Sequence, residues 1–221
     1  MKLAIVAATG GIGRALVEQA LAAGHEVTAV VRDPSRLPPG VNGARVDLAD
    51  PDPAALEAAL AGSDAVLSGL GPRSRADAGI TAPGTRALIA GMRATGVHRI
   101  VVVSAAPTST VAVAGRPNPP RHDPGDGFVM RHVLSPMIRR ILRGHYEDLA
   151  EMEEALRASG LEWTVVRPPR LNDKPVSGRY RRAYGRNIRG GFSIPRADVA
   201  HLMLCVLAEP ESVGQFIGCA T

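Results

Sequence analysis

The sequence predicts a single α/β domain built on a doubly wound parallel sheet, and three observations predict it. Short apolar, β-branched runs alternate with segments of helical period, the pattern of βαβ units. A glycine-rich turn follows the first apolar run and opens the first helical segment. The chain has 221 residues, enough to bury a core without disulfides or a metal.

The elements follow in order. Residues 2–7 form a continuous apolar strand. Residues 11–23 place Ile12, Ala15, Leu16, Ala20 and Ala23 at helical spacing, and Gly24 ends that helix as a C′ glycine. Residues 26–31 are the second strand, and Arg45-Val46 a short third. A helix over 53–60 has Asp52 as N-cap and proline at its first position. Strand 64–67, helix 83–95 ending at Gly96, and strand 99–103 follow. A helix over 148–159 ends at Gly160, and 163–166 is the sixth strand.

Two stretches break this rhythm. The first, about 106–144, is an insertion. It opens as a proline- and glycine-rich loop and continues as an amphipathic piece. There Phe128, Val133, Leu134, Met137, Ile138, Ile141 and Leu142 alternate with Arg131, Arg139, Arg140 and Arg143. Pro136 restarts the helix, with Ser135 as its cap. The stretch reads as a helix packed on the domain, with a lid, a dimer contact or a membrane-surface helix as alternatives. The second stretch is a small C-terminal segment on the substrate side, about 168–196. Counted from Arg167 to Arg196 it holds nine cations and one acid, Asp173. That is a net +8, which leaves −3 for the rest of a chain whose total is +5.

Hydrophobic residues at 45% and charged residues at 21% describe a globular chain. No apolar run approaches the ~20 residues of a membrane span, and the opening residues do not make a signal peptide. Cys205 and Cys219 sit far apart in no ligand spacing and read as reduced, buried thiols of a cytoplasmic protein. The basic excess does not point to nucleic acid. Seven aromatic residues are too few for a stacking platform, and no recognition motif is present. No metal motif appears, and His25, His98 and His201 read as structural.

The strongest motif is Ala7-Ala8-Thr9-Gly10-Gly11-Ile12-Gly13. After a strand and at a helix start, glycines let the backbone approach a dinucleotide pyrophosphate at the helix N-terminus. The fold expected is therefore of Rossmann type. At the end of the second strand, where NAD-binding folds carry an acid, stands Arg32, followed by Asp33 and Arg36. A guanidinium suits a 2′-phosphate, so NADP(H) is expected over NAD(H). The alternative is an arginine paired with Asp33.

These motifs resemble the atypical short-chain dehydrogenase/reductase superfamily. So do Asp47-Leu48, Gly69-Leu70-Gly71, Val101-Val102-Val103-Ser104 and the run from Trp163 to Pro169. The chain is most similar to the NmrA-like NAD(P)H-binding branch that holds biliverdin-IXβ and flavin reductases. Gly178-Arg179-Tyr180 and Asp198-Val199-Ala200 echo its tail. The resemblance implies that Thr9, Gly10, Gly11, Ile12 and Gly13 hold the pyrophosphate, and Arg32 and Arg36 the 2′-phosphate. It implies that Asp47 and Leu48 flank the adenine, and that Leu70, Gly71 and Arg73 line the nicotinamide ribose side. Ser104 would face the nicotinamide, with Pro168, Pro169 and Arg170 closing over it. Three departures stand out. Ala7 replaces the first fingerprint glycine, which implies a wider first turn. Arg170 stands where histidine is common, and the insertion is longer, so the substrate pocket need not match.

The Tyr-x-x-x-Lys dyad of typical members is absent, because Ala150 stands four residues after Tyr146. Tyr146 reads as a half-buried helix-start residue. Glu147, Asp148, Glu151, Glu153 and Glu154 read as a solvated face. What remains suits acceptors that take hydride without a strong enzymic acid: flavins, quinones and linear tetrapyrroles, planar and often anionic. Ser104 is the candidate beside the acceptor, unless its hydroxyl only satisfies local groups. Arg170 is the candidate for a substrate anion, unless it serves the cofactor or an ion pair. The expected function is thus an NADPH-dependent reductase acting as monomer or homodimer. A redox-sensing NmrA-type regulator is the main alternative. A nucleotide-sugar epimerase or dehydratase would need the missing dyad and a larger C-terminal part.

Overall fold

The computed structural model describes residues 1–72, 74, 77–127 and 142–221. The chain runs β1 (Lys2–Val6), α1 (Gly11–Ala22), β2 (Glu26–Val31), β3 (Asn42–Arg45), α2 (Pro53–Leu60), β4 (Ala65–Ser68), α3 (Thr81–Thr95) and β5 (Arg99–Val103). After the insertion come α4 (Arg143–Arg157), β6 (Glu162–Arg167), β7 (Arg170–Asn172), β8 (Arg181–Tyr184), β9 (Ser193–Pro195), α5 (Arg196–Cys205) and β10 (Gln215–Ala220).

The main sheet has the order β3-β2-β1-β4-β5-β6-β10-β8, the Rossmann-type doubly wound arrangement. Its pairings are parallel until β8 closes against β10 in antiparallel fashion. β7 and β9 form a separate parallel pair. The pleat sends alternate side chains to opposite faces, so β1 serves two cores. Leu3 and Ile5 pack with α1 and α5, and Ala4 and Val6 pack with α2, α3 and α4. β5 divides the same way, with Val101 and Val103 on the first face and Ile100 and Val102 on the second. Each such Val, Leu or Ile side chain stabilises the fold by about 1.5–3 kcal/mol on burial. The strand order reverses between β1 and β4, which opens a crevice at the carboxyl ends of the strands.

Asp52 caps α2 as expected, accepting from the Ala54 N–H at 3.0 Å. The third strand lies earlier than expected, at Asn42–Arg45. Its Asn-Gly-Ala-Arg sequence is a mostly exposed sheet edge, held by backbone pairing to β2 rather than by an apolar pattern. α4 starts five residues before the expected 148. β8 and β10 were not legible as strands. β8 is a polar edge, and β10 is a buried strand that inserts between β6 and β8. Within the insertion, residues 106–127 form a 3-10 turn at Ala106–Thr110 and a loop tied down by buried Asp123. That carboxylate accepts from the N–H groups of Gly125 and Asn187 at 2.9 and 2.7 Å. Of the expected amphipathic piece, residues 128–141, with Ser135 and Pro136, lie outside the described residues, and its last members Leu142 and Arg143 lead into α4.

Two acids expected on a solvated face are buried instead. Asp148 reaches from α4 to cap α3, accepting from Thr81 and Ala82 N–H at 2.9 and 2.8 Å. Glu153 is fully buried. Tyr146 is also buried rather than half-buried, and burial raises its phenol pKa. Cys219 is buried and Cys205 only partly so, and both are free thiols.

Candidate functional site

The glycine-rich turn sits at the crevice. Ala7 has φ +57°, the one positive-φ residue other than glycine among the described residues. Ala7 therefore adopts the conformation of the glycine it replaces. The Gly10 N–H donates to its carbonyl at 2.8 Å, so the turn is tight and not widened. A Cβ on Gly13 would run into that same carbonyl oxygen, which explains the glycine there. Gly10 caps α1 without any side-chain bond, and no acid stands in the first turn of the helix. The positive end of α1 is left uncompensated.

From this turn a cleft of about 250 Å³ runs along the carboxyl ends of the first four strands. Thr9, Val31, Arg32, Asp33, Arg36, Asp47, Leu48, Leu70, Gly71, Asp77 and Ile80 are among its lining residues. Arg32 is exposed and its Nη1 pairs with Asp77 Oδ1 at 2.9 Å, not with Asp33. Asp33 instead caps the Pro34–Arg36 turn, accepting from the Ser35 N–H and hydroxyl. Those two bonds hold its pKa below the usual carboxylate value. Asp47 turns its carboxylate back on the Ala49 N–H, and Leu48 and Leu70 supply an apolar wall. Arg73 lies outside the described residues.

At the other end of the crevice, Ser104 directly follows β5 with its side chain buried. Its hydroxyl donates to Glu153 Oε1 at 2.7 Å. Arg167, the last residue of β6, holds both oxygens of Glu153, through Nε at 2.9 Å and Nη2 at 2.6 Å. Its guanidinium stacks 3.9 Å above the Phe216 ring. Arg116 from the insertion loop approaches the same carboxylate at 3.9 Å. Burial lowers the pKa of Arg116, while Glu153 and Glu154 counter that shift. The Pro168 carbonyl accepts from the Ala106 N–H at 2.9 Å.

Beyond this network is a second cleft of about 260 Å³, lined by Ala106, Asp126, Arg167, Pro169, Asn187, Arg189, Phe192 and Cys219 among others. Phe192 is 58% exposed. Burial pushes the Cys219 thiol pKa up to about 12, so it is no nucleophile. Arg170 is exposed at the start of β7 and lines neither cleft.

The structure therefore joins Thr9, Arg32, Arg36, Asp47, Leu48, Leu70 and Gly71 in one cleft, and puts Pro169 in the other. Sequence reasoning missed Asp77, Glu153, Arg116 and Asn187. Glu153 had a signal. It shares the helical stripe of Leu149, Met152 and Leu156, all buried, where an acid needs a cationic partner.

These features define a dinucleotide-binding α/β protein. The turn suits a pyrophosphate because Gly13 lets the chain close tightly on the Ala7 carbonyl at an uncompensated helix N-terminus. The chain belongs to the NAD(P)H-binding family, whose profile matches residues 7–210. Among solved structures it is similar to a protein of Burkholderia pseudomallei described as a putative exported protein. That likeness has 28% identity, full coverage of both chains and a TM-score of 0.76. It is also similar to a putative NADH-flavin reductase of Streptococcus pneumoniae, with 25% identity, 100% and 99% coverage and TM-score 0.74. An anaerobilin reductase of Escherichia coli O157:H7 shares the fold, with 21% identity, 100% and 97% coverage and TM-score 0.75. The chain spans less than half the length of the curated relatives it matches. One is a UPF0659 protein of Schizosaccharomyces pombe, 28% identical over 55% of this chain and 46% of its own. Among the described residues no helix is long and apolar enough to cross a membrane.

Proposed function

We propose that the protein is a cytoplasmic NADPH-dependent reductase that passes hydride to a planar, often anionic acceptor of the flavin, quinone or linear-tetrapyrrole kind. The observation that carries this reading is the pairing of two clefts along one sheet edge. One holds Arg32 and Arg36 at its adenosine end, and the other is apolar with cations at its rim. Flavin and tetrapyrrole reductases among the similar structures support the acceptor class.

In this reading the dinucleotide, when bound, supplies the hydride. Thr9 to Gly13 offer backbone N–H groups to its phosphates, Arg32 and Arg36 take the 2′-phosphate, and Asp47 and Leu48 flank the adenine. Leu70 and Gly71 line the nicotinamide ribose side, and Pro168 and Pro169 close over the ring. Ser104 orders the end of β5 at the nicotinamide. Its proton is committed to Glu153, so protonation of the acceptor is left to solvent. Arg170, exposed at the start of β7 and outside both clefts, draws an anionic substrate by its charge alone. Catalysis is then mostly proximity and orientation.

The committed hydroxyl of Ser104 also favours a second reading, a regulator that binds NAD(P)(H) without turnover. One assay separates the two. Purified protein is mixed with NADPH or NADH and with FMN, a quinone or biliverdin, and absorbance is followed at the reduced nicotinamide band. The reductase reading expects faster oxidation of NADPH with at least one acceptor. Tight NADPH binding with no oxidation across the panel selects the regulator.

A further inference from the structure

We propose that Arg196 is a pyrophosphate-binding residue, held ready by Asp173 at the mouth of the glycine-rich turn. The proposal rests on the dinucleotide reading above and adds a ligand-binding side chain from outside the fingerprint.

Gly11 is the first residue of α1 and is exposed. A Cβ built on Gly11 would lie 2.6 Å from Arg196 Cδ, 2.9 Å from its Nε and 3.9 Å from its Cζ. The arginine thus occupies the space that a side chain at position 11 would fill. Its guanidinium lies over the helix end that carries neither a side-chain cap nor an acid. The placement is fixed rather than incidental. Arg196 is the first residue of α5, and α5 is docked on α1 with Gln19 Nε2 donating to the Ala197 carbonyl at 2.9 Å.

The present partner of Arg196 is weak. Nη1 meets Asp173 Oδ1 at 2.6 Å, but the Asp173 side chain is 86% exposed. Ion pairs this open to solvent contribute little. A pyrophosphate brings two negative charges to the same guanidinium and to the N–H groups beneath it. Such charge-assisted bonds are the stronger kind. Asp173 therefore orients Arg196 in the free protein and competes with the cofactor for it.

The test is calorimetric titration with NADP⁺ and, separately, with adenosine 2′-monophosphate, which carries the 2′-phosphate but no pyrophosphate. Arg196→Ala is expected to weaken NADP⁺ binding about tenfold or more. It should leave the monophosphate unchanged, which also reports an intact fold. Asp173→Asn is expected to tighten NADP⁺ binding, up to about fivefold. Unchanged NADP⁺ affinity in Arg196→Ala overturns the proposal. So does equal loss for both ligands, or a weakening in Asp173→Asn. Wild-type protein that binds neither nucleotide removes the dinucleotide reading itself, and the proposal with it.

Discussion

The two ends of the crevice handle charge in opposite ways. At the end beside the glycine-rich turn Arg32 and Arg36 are exposed, and Arg32 pairs with Asp77, whose side chain is largely covered. At the β5–β6 end Arg167 is buried and neutralised by an equally buried Glu153, with Ser104 and Arg116 gathered around them. The first arrangement leaves positive charge available to a ligand. The second spends it on holding two strand ends, a helix and the insertion loop together. The strongly basic C-terminal segment is thus less basic as a surface than as a sequence. Arg167 answers Glu153, Arg182 answers Glu209, and Arg196 answers Asp173.

The contrast predicts where substitutions cost stability and where they cost affinity. The largest effect is expected from Glu153→Ala, which strands a buried guanidinium. Loss of one partner of a buried pair costs about 3–5 kcal/mol, read as a lower urea midpoint. A change under about 1 kcal/mol would show that water reaches Arg167 and would erase the distinction between the two ends.

Arg32→Ala should leave the midpoint nearly unchanged. It should reduce NADPH affinity by roughly 1.5–3 kcal/mol, about one to two decades, with little effect on NADH. Equal loss for both cofactors would remove the 2′-phosphate from Arg32.

The end beside the glycine-rich turn was legible because its residues are local. The fingerprint, the strand-end arginine and the Asp52 cap each lie within a few residues of the element they serve. The other end was not. Glu153 meets Ser104 across 49 residues and Arg167 across 14, and Asp148 caps α3 from 67 residues away. An acidic run in a helix reads as solvated until its partners are known. Strands without a pattern escaped for a related reason. β3 and β8 lie at sheet edges, and edges need not be apolar.

A smaller effect tests the turn. Ala7→Gly removes the left-handed penalty of about 1–2 kcal/mol and adds about 0.5–1 kcal/mol of chain entropy cost. Net stabilisation of about 0.5–1 kcal/mol is expected in the same unfolding assay, and a lower midpoint would show that the methyl group packs usefully.

The mildest expectation concerns pH. Burial lowers the His145 pKa from 6.5, with Asp148 opposing. The unfolded chain then takes up the proton first. Stability from this site is full above about 6.5 and declines as pH falls toward the lowered folded value. His145→Gln should flatten that part of a stability–pH curve, and an unchanged slope would place the titration elsewhere.

Phe216, on which Arg167 stacks, also faces Trp163 at 5.0 Å between ring centroids. Trp163 is the only tryptophan in the chain. The protein therefore carries its own optical gauge of the buried network. Any event that loosens Arg167 from Glu153 should shift the ring beneath it and register in tryptophan emission, without a label and without turnover.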